Sequence, residues 1–120
     1  MYITQSLKRN AQLYSKKVAT SFNERTFTWE ESLKRISKLA SGIKKLGVNL
    51  EDRVAILAHN SDRYFEFIYS VSWLGGVFVP INTRLAPPEI QFWINDSGSK
   101  VIFVDSNLAN VVDNLIKENK

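Results

Sequence analysis

The sequence predicts an α/β fold: a partial doubly wound, mostly parallel sheet flanked by helices, with a short β-hairpin near the N-terminus. Three observations predict it. Short apolar runs recur at Val54-Ala55-Ile56-Leu57, Val77-Phe78-Val79 and Val101-Ile102-Phe103-Val104. A helix-like segment lies between each pair of runs, as expected for parallel strands joined by right-handed crossovers. Upstream, Val18 to Phe22 and Thr26-Phe27-Thr28 read as two strands about a turn at Asn23-Glu24-Arg25.

Taken in order, Ile3 to Lys16 reads as a helix, with Ile3, Leu7, Ala11 and Tyr14 at helical spacing. The hairpin follows. The next helix has a capping box at Thr28 and Glu31, in which each side chain satisfies an orphan backbone donor. Its apolar stripe is Trp29, Leu33, Ile36, Leu39, Ala40, Ile43 and Leu46. Glu30 with Lys34 and Glu31 with Arg35 are expected i,i+4 pairs. Lys44 and Lys45 suit the negative end of the helix dipole, and Gly47 suits a left-handed stop. Helix physics accounts for these lysines without a further role.

The segment from Ser61 to Leu74 is apolar around most of its circumference. Tyr64, Phe65, Phe67, Ile68, Tyr69, Val71, Trp73 and Leu74 leave only a narrow polar arc at Arg63, Glu66 and Ser70. Such a helix needs burial on two sides. The sheet covers one, so the expectation is that further protein covers the other. Gly75-Gly76 reads as a helix stop. Pro87-Pro88-Glu89 opens another helix with Ile90, Trp93 and Ile94 on one face, ending near Gly98. A weaker helix from Asn107 to Lys117 carries Leu108, Val111, Val112 and Leu115. The three tryptophans, Trp29, Trp73 and Trp93, all fall on apolar stripes and are expected in the core.

Composition narrows the function. The 120 residues suffice for one domain or part of one, expected here as a single incomplete domain over 1–120. With 44% hydrophobic and 23% charged residues, the chain is of ordinary globular type. The longest apolar stretch, Phe67 to Ile81, is broken by serines, glycines and Pro80, so no transmembrane segment is expected. No secretory h-region precedes the basic Lys8-Arg9 pair. The absence of cysteine excludes disulfides and thiol chemistry, and a single histidine excludes a multi-histidine metal cage. A reducing, cytoplasmic location is the expectation. The formal charge of +4 comes from a net +6 in residues 1–60 and −2 in residues 61–120. Most of that excess sits on helix faces, which solvation explains better than nucleic acid does.

A doubly wound sheet binds ligands beyond the C-terminal ends of its strands. There the loop after the first parallel strand reads Ala58-His59-Asn60-Ser61-Asp62. It has no glycine, so it lacks the G-x-G-x-x-G fingerprint, and no G-x-x-x-x-G-K-[ST] occurs anywhere. His59 and Asn60 are the pocket candidates. The plainer reading of His59 is a part-buried loop histidine, and that of Asn60, Ser61 and Asp62 is helix capping. Asp52 and Asn82 read as turn residues. No catalytic pair, triad or metal cluster emerges, so no catalytic or metal residue is assigned.

One ordered set of segments remains. Thr26-Phe27-Thr28-Trp29-Glu30-Glu31, Leu39-Ala40, Gly42, Gly47-Val48 and Asp52-Arg53-Val54-Ala55 come first. Leu74-Gly75-Gly76-Val77, Val79-Pro80-Ile81-Asn82, Arg84-Leu85, Glu89-Ile90 and Val101-Ile102-Phe103-Val104 follow. In this order and spacing the chain, from about residue 5 to 116, resembles the N-terminal part of AMP-forming adenylating enzymes, the acyl-CoA synthetases and their relatives. The resemblance implies a piece of the large N-terminal domain of an adenylate-forming ligase, nearest in character to a fatty-acyl or other carboxylate–CoA ligase. It implies a parent reaction that uses ATP, magnesium and coenzyme A to adenylate a carboxylate and then form a thioester. The family's Ser/Thr/Gly-rich phosphate loop, its later nucleotide motifs and its C-terminal lid domain are not matched by any segment here. The resemblance therefore places no cofactor in this segment and implies a scaffold that is inactive alone. Its implied partners are the remainder of the parent chain and a carboxylate substrate. The alternative is a stand-alone remnant that binds an acyl group or a partner. Self-association is expected in either case, through the apolar surplus around Phe65 to Leu74.

Overall fold

The computed structural model describes residues 3–118. Its elements are α1 (Thr4–Leu13), β1 (Val18–Phe22), β2 (Arg25–Thr28), α2 (Trp29–Lys45), β3 (Arg53–Leu57), α3 (Asp62–Trp73), β4 (Val77–Pro80), α4 (Pro87–Ser97), β5 (Val101–Val104), a 3-10 turn (Ser106–Leu108) and α5 (Ala109–Glu118). β1 and β2 form an antiparallel hairpin, and β4-β3-β5 form a parallel three-stranded sheet. In the sheet Arg53 to Ile56 pair with Val77 to Pro80, and Val54 to Leu57 with Val101 to Val104. The chain enters at the centre, crosses to one edge through α3, then returns to the opposite edge through α4.

Alternation along β3 divides the core in two. Val54 and Ile56 face a layer made by Ile43 of α2 with Phe67 and Val71 of α3. Ala55 and Leu57 face Ile90 of α4 with Val112 and Leu115 of α5. Burial of each such aliphatic side chain contributes about 1.5–3 kcal/mol. The predicted caps form as expected. Glu31 N–H donates to Thr28 Oγ1 at 3.2 Å, and Thr28 N–H donates to Glu31 Oε1 at 3.0 Å. Those bonds hold the Glu31 carboxyl below its ordinary pKa. Asn82 Oδ1 accepts from Arg84 N–H at 2.9 Å, fixing the turn after β4. Gly75 has a φ of 74°, the left-handed stop of α3. A Cβ on Gly76 would lie 3.2 Å from the Asp52 carbonyl oxygen, so glycine lets β4 leave the helix close beside the start of β3.

Four expectations are corrected. The expected pairs Glu30–Lys34 and Glu31–Arg35 do not form. Glu30 meets Lys16 at 3.3 Å, Glu31 is occupied by the cap, and Arg35 turns inward to α3. Trp93 is 49% exposed and not in the core, because Ile90 and Ile94 carry the contact of α4 with the sheet. Leu46, Ile3 and Tyr14 are likewise exposed, each at a helix end where its stripe has run past its partner. The largest correction concerns α3. Its polar arc is not its solvent face: Glu66 and Ser70, with Asp62 one turn earlier, are buried against α2 and the hairpin, and only Arg63 of the arc is exposed. This chain therefore covers the second side of α3 itself, and the apolar residues from Phe65 to Leu74 are buried or half-buried. Trp73 lies beneath the Lys8 ammonium, 4.7 Å from its ring centre.

Candidate functional site

Because α3 and α5 lie on opposite faces, the connections leaving β3 and β5 diverge at the C-terminal end of the sheet. Such a divergence opens a crevice, the usual ligand position in doubly wound sheets. A cavity of about 930 Å³ lies there. Its apolar floor is Leu39, Ile56, Phe67 and Phe103, with the rings of Phe67 and Phe103 edge to face at 5.3 Å. Its rim carries Arg25, Arg35, Lys38 and Arg63 together with Glu66 and Asp105.

Two of these cations are already engaged. Arg25 Nη2 donates to Asp62 Oδ1 at 2.7 Å, which ties the hairpin to the start of α3. Arg35 Nε donates to both Glu66 oxygens at 3.1 Å, and its guanidinium stacks 4.3 Å from the Phe27 ring centre. Ser70 Oγ donates to the Ile36 carbonyl at 3.1 Å one turn further along. Asp62, Glu66 and Ser70 thus form an i,i+4,i+8 polar seam between α3 and its neighbours. A buried carboxylate is tolerated there because a guanidinium neutralises it with directed hydrogen bonds. Asp62 Oδ2 is the one buried side-chain polar atom without a partner among the described residues. The seam was recoverable from the four-residue spacing of these residues inside an aromatic helix, a spacing that a simple count of polar residues overlooks.

The predicted candidates flank this cavity. His59 and Asn60 line it and also a smaller cavity of about 400 Å³ between the ends of β3 and β4, beside Asn82 and Thr83. Both are exposed, which corrects the expected part-burial of His59: the loop leaves the sheet before α3 can cover it. Neither side chain makes a hydrogen bond among the described residues, so no neighbour orients His59 as a base. Ser61 is the residue that caps α3, its Oγ accepting from Arg63 N–H at 3.2 Å and Tyr64 N–H at 3.4 Å. Tyr64 stands between the two cavities, and burial raises its phenol pKa, keeping the hydroxyl protonated. Lys38 and Arg63 have no side-chain partner among the described residues. The cavity can therefore hold an apolar body beside a negative charge, with no nucleophile–base pair in place. Among the described residues no group of three His, Cys, Asp or Glu could hold a metal ion. No described helix is long and apolar enough to cross a membrane.

The model of the AMP-binding enzyme family matches residues 7–120. A butyrate–CoA ligase of Arabidopsis thaliana is 31% identical over 111 residues, covering 92% of this chain and 19% of that protein. A long-chain-fatty-acid–CoA ligase of Mycobacterium tuberculosis is 44% identical over 77 residues, covering 64% of this chain and 15% of that protein. Among solved structures, the N-terminal domain of the FACL13 protein of Mycobacterium tuberculosis superposes with a TM-score of 0.95 at 32% identity, covering 100% of this chain and 31% of that one. The chain spans about a fifth of the length of the curated relatives it matches.

Proposed function

The chain belongs to the AMP-binding enzyme family, and from that premise we propose that it is an N-terminal segment of an ATP-dependent, AMP-forming carboxylate–CoA ligase, with a fatty acid as the preferred carboxylate. The observation that carries this reading is the superposition of the entire chain on the N-terminal domain of the FACL13 protein, read with the 44% identity to a long-chain-fatty-acid–CoA ligase. The names of the related ligases include fatty-acid, butyrate and hydroxybutyrate enzymes alongside a feruloyl-CoA synthase, and the aliphatic majority supports an aliphatic carboxylate. In the whole ligase, ATP and magnesium would activate the carboxylate as its adenylate, and coenzyme A would take the acyl group.

This chain's residues do not fit a nucleotide phosphate. The loop at 58–62 has no glycine to let backbone approach a pyrophosphate, and Ser61 Oγ already accepts two N–H groups of α3. No step of the reaction is assigned to it. Its part is structural: it supplies the central strands, and its seam of paired charges holds the helical wall beside them. The segment alone is proposed to be inactive, and the remainder of the parent chain is its proposed partner. A cytoplasmic location belongs to the same proposal and rests on the cysteine-free composition.

ATP–pyrophosphate exchange over a panel of carboxylates tests the reading. Exchange is expected from the chain joined to the rest of a ligase, and none from the 120 residues alone. Exchange by the short chain itself would overturn it. A second reading, a stand-alone acyl-binding remnant, is favoured by the apolar floor of the large cavity. It requires that laurate displace a bound hydrophobic dye from the isolated chain, and failure of that displacement would remove it.

A further inference from the structure

The N-terminal end of the parallel sheet, opposite both cavities, presents aliphatic side chains to water. Leu46 is 60%, Leu50 71% and Val77 47% exposed. Leu46 and Leu50 lie in the connection from α2 to β3, and Val77 begins β4. Backbone bonds hold the two connections side by side: Glu51 N–H donates to the Gly75 carbonyl and Val77 N–H to the Asp52 carbonyl, each at 2.9 Å. Asn49 N–H donates to Asp52 Oδ2 at 2.7 Å within the same turn. The Leu50 side chain lies where a Cβ on Gly75 would stand. Its exposure therefore belongs to a bonded turn and not to a loose loop. Glu51, next to it, has a φ of 67°, a left-handed conformation that is costly for a residue with a Cβ. Such strain persists where the surrounding structure imposes it, and it clusters at functional surfaces.

Cations gather at this end. Lys44 and Lys45 close α2, and the helix dipole explains their place while leaving both ammonium groups without a side-chain partner among the described residues. Lys8 rests over Trp73, two residues before Gly75. Arg53 adds a charge at the start of β3, and Lys100 neutralises Asp52 at 3.2 Å. Glu51 and, at the end of α4 on the other face of the sheet, Asp96 oppose them.

We propose that this end of the sheet docks on an anionic lipid surface. Leu46, Leu50 and Val77 enter the boundary between headgroups and acyl chains, Lys44 and Lys45 meet the anionic headgroups, and Trp73 lies at the interface. Side chains this exposed project from the surface and line no groove, so a yielding apolar medium suits them better than a protein pocket does. The unpaired lysines beside them select anionic over neutral lipid. Docking here leaves both cavities, at the other end of the strands, open to water. The proposal does not rest on the ligase reading.

The test sediments the 120-residue chain with vesicles of phosphatidylcholine alone and of phosphatidylcholine mixed with phosphatidylglycerol. Binding at least tenfold tighter to the anionic vesicles is expected, weakening as salt rises. Leu50→Ser is expected to weaken it at least tenfold, and Lys44→Glu combined with Lys45→Glu to abolish the preference for anionic vesicles. Val18→Ser and Phe92→Ser, which remove exposed apolar groups elsewhere, are expected to change binding less than twofold. No binding to anionic vesicles would overturn the proposal, as would binding that survives Leu50→Ser or that Val18→Ser weakens equally. Light scattering without lipid covers the rival occupant: a dimer that Leu50→Ser dissolves would assign this end to a second copy and overturn the lipid reading. Circular dichroism reports whether each variant folds. Should Leu50→Ser not fold, the paired lysine substitutions, at exposed helix positions, decide.

Discussion

The two layers that sandwich the sheet differ in how far the chain completes them. On the α2–α3 side, apolar packing is reinforced by a buried polar seam: Arg25 with Asp62, Arg35 with Glu66, and Ser70 on the Ile36 carbonyl. On the α4–α5 side, contact with the sheet is apolar, and α4 leaves Phe92 60% and Trp93 49% exposed. These two rings touch each other edge to face, with centroids 6.0 Å apart. The lesson is that local helix quality does not decide completion. α4 has its proline start and its left-handed Gly98 stop, yet half of its aromatic surface finds nothing to pack on.

Substitutions sharpen the contrast. The largest effect is expected for Phe67→Ala, which empties the centre of the α2–α3 layer and should cost about 3–5 kcal/mol by urea unfolding. Arg35→Ala comes next. It strands the Glu66 carboxylate, whose side chain is only 8% exposed, and is expected to cost about 2–3 kcal/mol. Arg35→Ala combined with Glu66→Gln should recover part of that loss, and if it recovers nothing the seam is not electrostatic.

A smaller effect concerns Asp52, which links the starts of β3 and β5. Its Oδ2 accepts from Asn49 N–H at 2.7 Å and from Lys100 at 3.2 Å, and these contacts lower its pKa, the backbone bond most. A lowered carboxylate pKa contributes stability that is present above the unfolded value and is lost as pH falls through the folded value. The midpoint of unfolding should therefore fall below about pH 4. Asp52→Asn should flatten that decline, and an unchanged acid limb would remove Asp52 as a cause. The smallest effect is expected for Trp93→Ser, within about 0.5 kcal/mol of the native chain. A loss as large as that of Phe67→Ala would mean that the α4–α5 layer is complete after all.

Most of the elements were legible in the residues, because each carries its own local signal. Apolar runs marked β3, β4 and β5, Thr28 and Glu31 marked the start of α2, and Gly47, Gly75 and Gly98 marked helix stops. Partners across the fold were not legible. The spacing of Arg35 and Glu31 invites a local pair, but the capping bond takes Glu31 first, and Glu66 lies 31 positions away in sequence. On α3 the burial of the polar arc was not legible, because periodicity counts residues and cannot see a guanidinium waiting on another helix. The site was legible as a place, the loop after β3, and His59 and Asn60 do lie at its cavities. Its cationic rim was not, since Arg25, Lys38 and Arg63 come from three separate elements.

The polar seam also bears on how the chain is made. All of its members lie between Arg25 and Ser70, so every residue of the seam has been synthesised before residue 101 is added. Translation at about 5–20 residues per second gives that half a few seconds' head start. β5 is thus delivered after the other described strands, onto a partner strand that is already made. An exposed, uncharged strand edge is most hazardous while it waits in an unfolded chain, and here synthesis order keeps that wait short.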